Sequence, residues 1–119
     1  MKLENIKFKA KSLDNNGGLV IGDLVHSTSY VGIGYPSSVF PDVPVVHRVD
    51  PSTVCQFTGL KDKNGTPIYE GDIVTYKDNN AERRGVIVWD SKAAAFCFGQ
   101  DFLVHYPSEN MEVIGNEFD

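Results

Sequence analysis

The sequence predicts a mostly β protein, with a small SH3-like β-barrel in the C-terminal half, additional N-terminal strands and a proline-rich irregular segment between them. Apolar and polar residues alternate in short segments, turn-forming clusters separate these segments at intervals of about 8–12 residues, and no apolar stripe of helical period persists. A chain of 119 residues is large enough for one core. We therefore expect a single domain over residues 1–119, with a β lobe at about 1–57 and a barrel-like lobe at about 68–116.

The first predicted strand covers residues 6–11, where apolar residues alternate with three lysines. This period-two pattern is typical of a half-buried strand, so Lys9 is expected to point into solvent. Residues 14–18 tolerate positive φ and predict a turn into a second strand that begins at residues 19–21. Residues 24–34 favour one further strand because they are rich in β-branched and aromatic residues.

The middle of the chain, residues 35–51, is rich in proline. Four of the six prolines lie there, and each fixes φ and lacks an N–H donor. They exclude a long helix or a central strand, so the segment is predicted to be irregular with one edge strand at 45–49. It is also the best place for a loop that contacts a partner.

The C-terminal half contains the most regular strand pattern. Asn64-Gly65 is the strongest tight-turn signal of the chain, and Gly71 is expected to hold a backbone conformation reserved for glycine. Strands are predicted at residues 53–57, 73–77, 85–90, 94–98, 102–106 and 111–114. The side chains expected to form the core are Ile73, Val86, Val88, Phe96 and Val113.

The net charge of −5 belongs entirely to residues 93–119. Residues 1–92 hold equal numbers of acidic and basic side chains, whereas the C-terminal segment has no Lys or Arg. An acidic surface repels phosphate backbones, which disfavours nucleic acid as a partner. The five acidic residues of this segment are Asp101, Glu109, Glu112, Glu117 and Asp119.

The sequence predicts a cytoplasmic protein without a membrane partner, because no apolar run approaches the length of about 18 residues that spans a bilayer. Cys55 and Cys97 have apolar neighbours and are expected to be buried, reduced thiols. The three histidines are isolated, so neither a metal nor another cofactor is expected.

One long motif carries a resemblance to a known family. The motif is QFTGLKDKNG at residues 56–65, continued by IYEGDIV at 68–74, and residues 6–10 and 109–116 supply matching ends. The motif resembles the YopX-like family, small proteins of bacteriophages and prophages. This resemblance implies a phage or prophage origin, a mostly β fold and self-assembly, but no reaction. Residues 19–52 match no family pattern, and Lys11-Ser12 stand where an aromatic residue is usual. The candidate interaction motif is Thr58, Gly59, Leu60, Asn64, Gly65, Tyr69, Glu70, Gly71 and Asp72, together with Trp89.

Two pieces of this motif have an alternative chemical interpretation. Glu70 and Asp72 are two residues apart and have the spacing of an acid–base or cation-binding pair. The preferred interpretation is structural, with Asp72 accepting backbone N–H groups of a turn. Trp89 is expected to pack in the core, although stacking of nucleic-acid bases on it is the alternative.

The absence of a clustered reactive site favours a non-catalytic accessory protein that works through self-association, as a homo-oligomer, or through a host or phage protein partner. A small barrel that binds nucleic acid is the alternative, and an enzyme using Glu70 and Asp72 comes third. The basic residues available for phosphate contacts are Lys61, Lys63, Lys77, Arg83 and Arg84.

Overall fold

The computed structural model describes residues 2–14, 17–79 and 81–119. Across these residues the regular structure is antiparallel β-sheet with a few single-turn 3-10 helices, which confirms the mostly β prediction. No helix in the described ranges is long and apolar enough to cross a membrane. The chain divides into two compact units, one ending at Gln56 and the other beginning at Phe57. Folding as one cooperative domain stays a prediction.

The first unit is an antiparallel sheet in the order β4-β3-β2-β1, and the first residues of β5 pair with β1. An isolated bridge between Ser12 and Val49 joins the chain just after β1 to the chain just after β4. The Leu13 N–H donates to the Arg48 carbonyl there at 2.9 Å. The two ends of the four-stranded sheet therefore meet. The strands are β1 (Phe8–Lys11), β2 (Leu19–His26), β3 (Val31–Pro36), β4 (Pro44–Arg48) and β5 (Cys55–Lys61).

The hairpin predicted between the first two strands is present, since β1 pairs with β2 from Phe8 to Lys11. Its predicted turn includes Asn15 and Asn16, which lie outside the described residues. The edge strand expected at 45–49 is also present, as β4 at the end of the strand order. Prolines at both flanks leave it short.

Two predictions for this unit are wrong. Residues 24–34 do not form one strand, because Ser27 starts a turn in which its N–H donates to the Tyr30 carbonyl at 3.0 Å, and its hydroxyl accepts from the Ser29 N–H. Lys9 does not point into solvent, since its exposed fraction is only 8%. It lies on an interior strand, opposite Ile21 of β2 on one side and Cys55 of β5 on the other, so both cross-strand neighbours flank its side chain.

The second unit contains a five-stranded antiparallel sheet in the order β10-β9-β8-β7-β11. A short strand, β6, pairs with the second half of β5. The additional strands are β6 (Pro67–Tyr69), β7 (Asp72–Lys77), β8 (Glu82–Asp90), β9 (Ala95–Phe98), β10 (Asp101–Phe102) and β11 (Met111–Asn116). The core consists of Ile68, Val74, Tyr76, Ile87, Phe98, Leu103 and Met111.

The β-sheet of the second unit is open. No pairing joins β10 to β11 among the described residues, so the barrel expected in this half does not close. The strand expected at 102–106 is mostly wrong as well, because a 3-10 helix at Leu103–His105 follows the two residues of β10. The SH3-like character stays a prediction.

The predicted core of this unit is one residue out of phase along two strands. Val74 and Ile87 are fully buried, whereas Ile73 and Val86 are only partly buried and Val88 is 39% exposed. Phe96 and Val113 do pack against the core. The error arises because β7 and β8 carry some apolar residues on both faces, and a shift of one residue exchanges the faces. Cys55 and Cys97 are buried and neither forms a disulfide, as predicted.

Gly71 has a φ of +84°, a left-handed conformation that L side chains adopt at a cost of about 1–2 kcal/mol. We therefore expect Gly71→Ala to lower the free energy of unfolding by about that amount. Gly115→Ala is the matched control, since a Cβ there would make ordinary contacts of 3.5 and 3.9 Å without positive φ. Urea unfolding curves measure both. Equal stability of the two variants would contradict the strained-turn assignment.

Candidate functional site

The buried carboxylate of Asp62 organises the first turn of the motif. Its Oδ1 accepts the Asn64 N–H at 2.8 Å and the Thr66 N–H at 2.9 Å. Its Oδ2 accepts the Val113 N–H of β11 at 2.9 Å. Burial by itself would raise the pKa of Asp62, but these three N–H groups outweigh it and hold the pKa below its usual value. The tight turn predicted at Asn64-Gly65 is formed, with Gly65 at φ +80°.

A second buried carboxylate, Asp72, organises the next turn. It has no exposed surface, and its Oδ2 accepts the Tyr69 N–H at 2.8 Å while its Oδ1 accepts the Asn116 amide at 3.0 Å. The Gly71 N–H donates to the Ile87 carbonyl at 2.7 Å. Burial and the neighbouring Asp72 charge raise the pKa of Tyr69 to about 12. Asp72 thus has a structural role, as the acceptor of hydrogen bonds from a backbone N–H and a side-chain amide.

This geometry separates the two carboxylates proposed as an acid–base pair. Glu70 is partly exposed, but Asp72 is sealed from solvent and both of its oxygens hold hydrogen bonds. A general acid or base must reach the substrate directly or through one water. The pair therefore does not form a reactive site in this conformation.

The third part of the motif, Thr58-Gly59-Leu60, interrupts the pairing of β5 with β6. The Thr58 hydroxyl donates to the Ile68 carbonyl at 2.7 Å and accepts the Leu60 N–H at 3.1 Å. Gly59 has a φ of +86°, and the register shifts between Phe57 and Lys61. A bulge of this kind re-aims the following side chain. Leu60 is consequently 36% exposed.

Leu60 borders an apolar groove in the second unit with a volume of about 300 Å³. Every lining residue except Thr58 is apolar. Several of them are also open to solvent, Val104 being 86% and Phe102 44% exposed. The lining residues are Thr58, Leu60, Ala95, Phe96, Phe102, Leu103 and Val104. We refer to this feature as the apolar groove.

Trp89 extends the apolar surface beside this groove. It packs edge-to-face on the groove residue Phe96, with 5.0 Å between ring centroids, and remains 44% exposed. The prediction that Trp89 lies in the core is therefore wrong. Trp89 pairs with Phe96 near the end of the β8–β9 hairpin, beyond the last fully buried pair, Ile87 and Phe98.

The apolar groove unites only part of the predicted site. Thr58 and Leu60 line it and Trp89 adjoins it, whereas Asn64, Tyr69 and Asp72 belong to turns that shape the unit. Sequence reasoning missed Phe102 and Val104. The signal that was available is Phe-Leu-Val directly after a turn and before the Pro107 break, where an exposed apolar run is unusual for a strand end.

An ionic cluster lies next to the groove and fixes β10. The Arg83 guanidinium contacts the Asp101 carboxylate at 2.7 Å, and the Tyr106 hydroxyl donates to the same oxygen at 2.7 Å. Arg83 also bonds the Tyr106 hydroxyl and lies over the Phe98 and Tyr106 rings. The hydrogen bonds from Arg83 and Tyr106 lower the pKa of Asp101. Strand β8 is thereby tied to β10 and to the 3-10 helix that carries Val104.

The same contacts change the expected charge pattern. Arg83 pairs with Asp101, and Lys63 pairs with Glu112 at 3.0 Å. These pairs neutralise two of the five basic residues suggested for phosphate contacts. They also neutralise two of the five acidic residues of the C-terminal segment. No group of three His, Cys, Asp or Glu side chains suited to a metal occurs within the described ranges.

The chain is thus a small antiparallel β protein in which one motif builds buried-aspartate turns and borders an apolar groove. The chain belongs to the YopX protein family, whose sequence model matches residues 9–119. That match covers nearly the whole chain and confirms the resemblance carried by the motif. It includes residues 19–52, so the expectation that this segment matches no family pattern is wrong. A comparison with curated proteins gave no match.

Exchanging Asp72 and Asn116 tests the buried contact between them. Asp72→Asn alone places an amide opposite the Asn116 amide, so we expect a loss of about 1–3 kcal/mol in the free energy of unfolding. In the double variant Asp72→Asn/Asn116→Asp, the new amide donates to the new carboxylate and its oxygen still accepts the Tyr69 N–H, so much of the loss is restored. Urea unfolding of the four proteins measures the coupling. A double variant as unstable as the sum of both single variants would contradict the contact.

Acid should weaken the second unit through Asp62 and Asp101, whose pKa values are both lowered in the folded protein. A lowered folded pKa gives stability that is present above the unfolded value, about 3.9, and is lost as pH falls through the folded pKa. We expect the free energy of unfolding to decrease as the pH falls below about 3.9. In Asp101→Asn this decrease should be smaller. Urea unfolding at a series of pH values measures it, with Asp23→Asn as the charge-matched control. An unchanged acid dependence in Asp101→Asn would refute this role.

Proposed function

We propose that this chain is a non-catalytic accessory protein of a bacteriophage or prophage, which acts in the bacterial cytoplasm by binding protein. It binds either a second copy of itself or a host or phage protein. The apolar groove of the second unit is the contact site. The single observation that carries this proposal is the contiguous set of exposed apolar side chains at that groove.

The composition of the groove supports a protein ligand. Soluble monomers rarely leave contiguous apolar side chains in water without a binding role, and aromatic side chains are enriched where proteins meet. Phe96, Phe102 and the adjoining Trp89 provide three aromatic rings at this place. Only Thr58 offers a polar side chain in the lining, which is too little to orient a small polar substrate.

The walls of the groove are fixed before a ligand arrives. On one side the Thr58 hydroxyl holds the bulge that presents Leu60. On the other side the Arg83–Asp101–Tyr106 cluster holds β10 and the 3-10 helix. A preformed site loses little conformational entropy when it binds, so modest apolar contacts suffice for specific recognition. The proposal does not depend on an SH3-like topology.

Nucleic-acid binding remains the alternative function, with less support. It requires several free basic side chains around exposed aromatic rings. Exposed Trp89 fits that requirement, but Arg83 and Lys63 already hold acidic partners, and the sequence carries a net charge of −5. A gel shift that weakens with rising salt would favour this alternative.

The groove is tested through Trp89, the single tryptophan of the chain. We expect its fluorescence to shift to shorter wavelength when the groove is filled, either on raising the protein concentration or on adding a captured partner, because contact removes water from its ring. Val104→Asp should abolish the shift, since a carboxylate then lies at the rim of the groove. Ile114→Asp is the control, with an equal charge change at a 46% exposed residue on β11.

Light scattering and affinity capture from bacterial lysate accompany the fluorescence. Two negative results together would refute the proposed function. The wild type would have to stay monomeric, and it would have to capture no lysate protein that Val104→Asp fails to capture.

A further inference from the structure

We propose that the occupant of the apolar groove is a second copy of this chain, which inserts Phe40 from the loop between β3 and β4. The inference rests on the proposed function and names the partner that the groove takes. It joins the first unit of one copy to the second unit of another.

The loop at residues 37–43 carries the most exposed apolar cluster of the first unit. Val39 is 72%, Phe40 67% and Val43 58% exposed. A phenylalanine presented to water at a loop tip is unfavourable in a free monomer, because burying an aromatic side chain removes about 150–250 Å² from water. The loop therefore presents an exposed apolar side chain that burial in a partner would stabilise.

This loop is ordered by its own hydrogen bonds. The Ser37 hydroxyl accepts the Val39 and Phe40 N–H groups, each at 3.2 Å. The Val43 N–H donates to the Phe40 carbonyl at 2.9 Å, and the Ser37 N–H donates to the Val43 carbonyl at 3.2 Å. Phe40 is thus held at the tip of a closed turn. Insertion of a side chain from a loop whose backbone is already ordered costs less entropy than insertion from a disordered loop.

The groove is large enough for one aromatic ring. Its volume of about 300 Å³ exceeds the apolar cavity of about 150 Å³ that accommodates benzene in another protein. Apart from Thr58, the side chains that line the groove are apolar, so a phenylalanine ring covers no other polar side chain there. The Thr58 hydroxyl already donates to the Ile68 carbonyl.

The charges of the two units favour this contact over other contacts between copies. Residues 57–119 hold 11 acidic and 6 basic side chains, whereas residues 1–56 hold five of each. Two grooves placed face to face would bring two acidic units together, and such like-charge contacts are unfavourable. The neutral first unit avoids this repulsion.

Each copy carries one loop and one groove, so two arrangements satisfy the contact. Two copies can insert their loops reciprocally as a symmetric dimer, or successive copies can join head to tail. In either arrangement, a copy with a defective loop still has an intact groove, and a copy with a defective groove still has an intact loop. These two copies can therefore form one intact contact with each other. A mixing experiment uses this property.

The experiment compares Phe40→Ser, Val104→Asp and their equimolar mixture by light scattering. Both positions are highly exposed, so the variants keep the fold, which urea unfolding verifies. We expect each variant alone to associate at least about tenfold more weakly than wild type, as for loss of a central anchor. The mixture should form a one-to-one dimer. Leu13→Ser and Ile114→Asp, at 66% and 46% exposed apolar residues, are the matched controls and should associate like wild type.

The outcomes separate this inference from the proposed function. If Val104→Asp prevents association but Phe40→Ser does not, the groove binds protein and the loop is not its occupant, so only the inference fails. The inference also fails, while the proposed function stands, if the wild type is monomeric and captures a lysate protein that Val104→Asp does not capture. Monomeric wild type with no such protein refutes both. A one-to-one dimer that forms only in the mixture supports the inference.

Discussion

The second unit depends on two buried carboxylates that hold β11 at two places. Asp62 accepts the Val113 N–H, and Asp72 accepts the side-chain amide of Asn116 three residues further on. A buried carboxylate without donors is costly, and hydrogen bonds to a charged acceptor are stronger than neutral ones. Few backbone paths supply donors to both groups. These two side chains therefore select the path that brings the C-terminal strand against β7.

The motif that identifies the family is explained largely by this constraint. Its glycines at 59, 65 and 71 all have positive φ, and its aspartates bind the backbone groups of the turns that these glycines allow. A long shared motif is often taken as a sign of catalysis. Here the same residues build the turns of the unit and present Leu60 to the apolar groove, so the motif joins architecture to the proposed contact site.

Local signals in the sequence predicted the turns well, because a turn depends on few residues. Asn64-Gly65 and Gly71 require particular backbone conformations whatever surrounds them. Burial was harder to predict because it depends on neighbours that are distant in sequence. The alternation at Lys9 is that of a half-buried strand with its lysines outward, and the sequence does not show that β1 lies between β2 and β5.

The groove was predictable only in part for the same reason. Thr58 and Leu60 belong to the motif, but the other wall comes from residues about 35–45 positions later, in a segment whose alternation suggested a strand. A 3-10 helix at Leu103–His105 places Val104 outward instead. Trp89 was misplaced because a large aromatic residue on a strand usually packs inward, and the sequence does not show where the core ends along that strand.

The bridge between Ser12 and Val49 limits how a further strand could add to the outer edge of β4. An outer strand with free main-chain donors and acceptors is a template on which further chains add. At the end of β4 the Arg48 carbonyl is already taken by Leu13, and the Asp50 N–H is taken by Lys11, while Pro44 at the other end has no N–H to offer. A further chain therefore finds both ends of β4 closed to continuous backbone pairing, so the outer edge of this sheet is a poor template for extension.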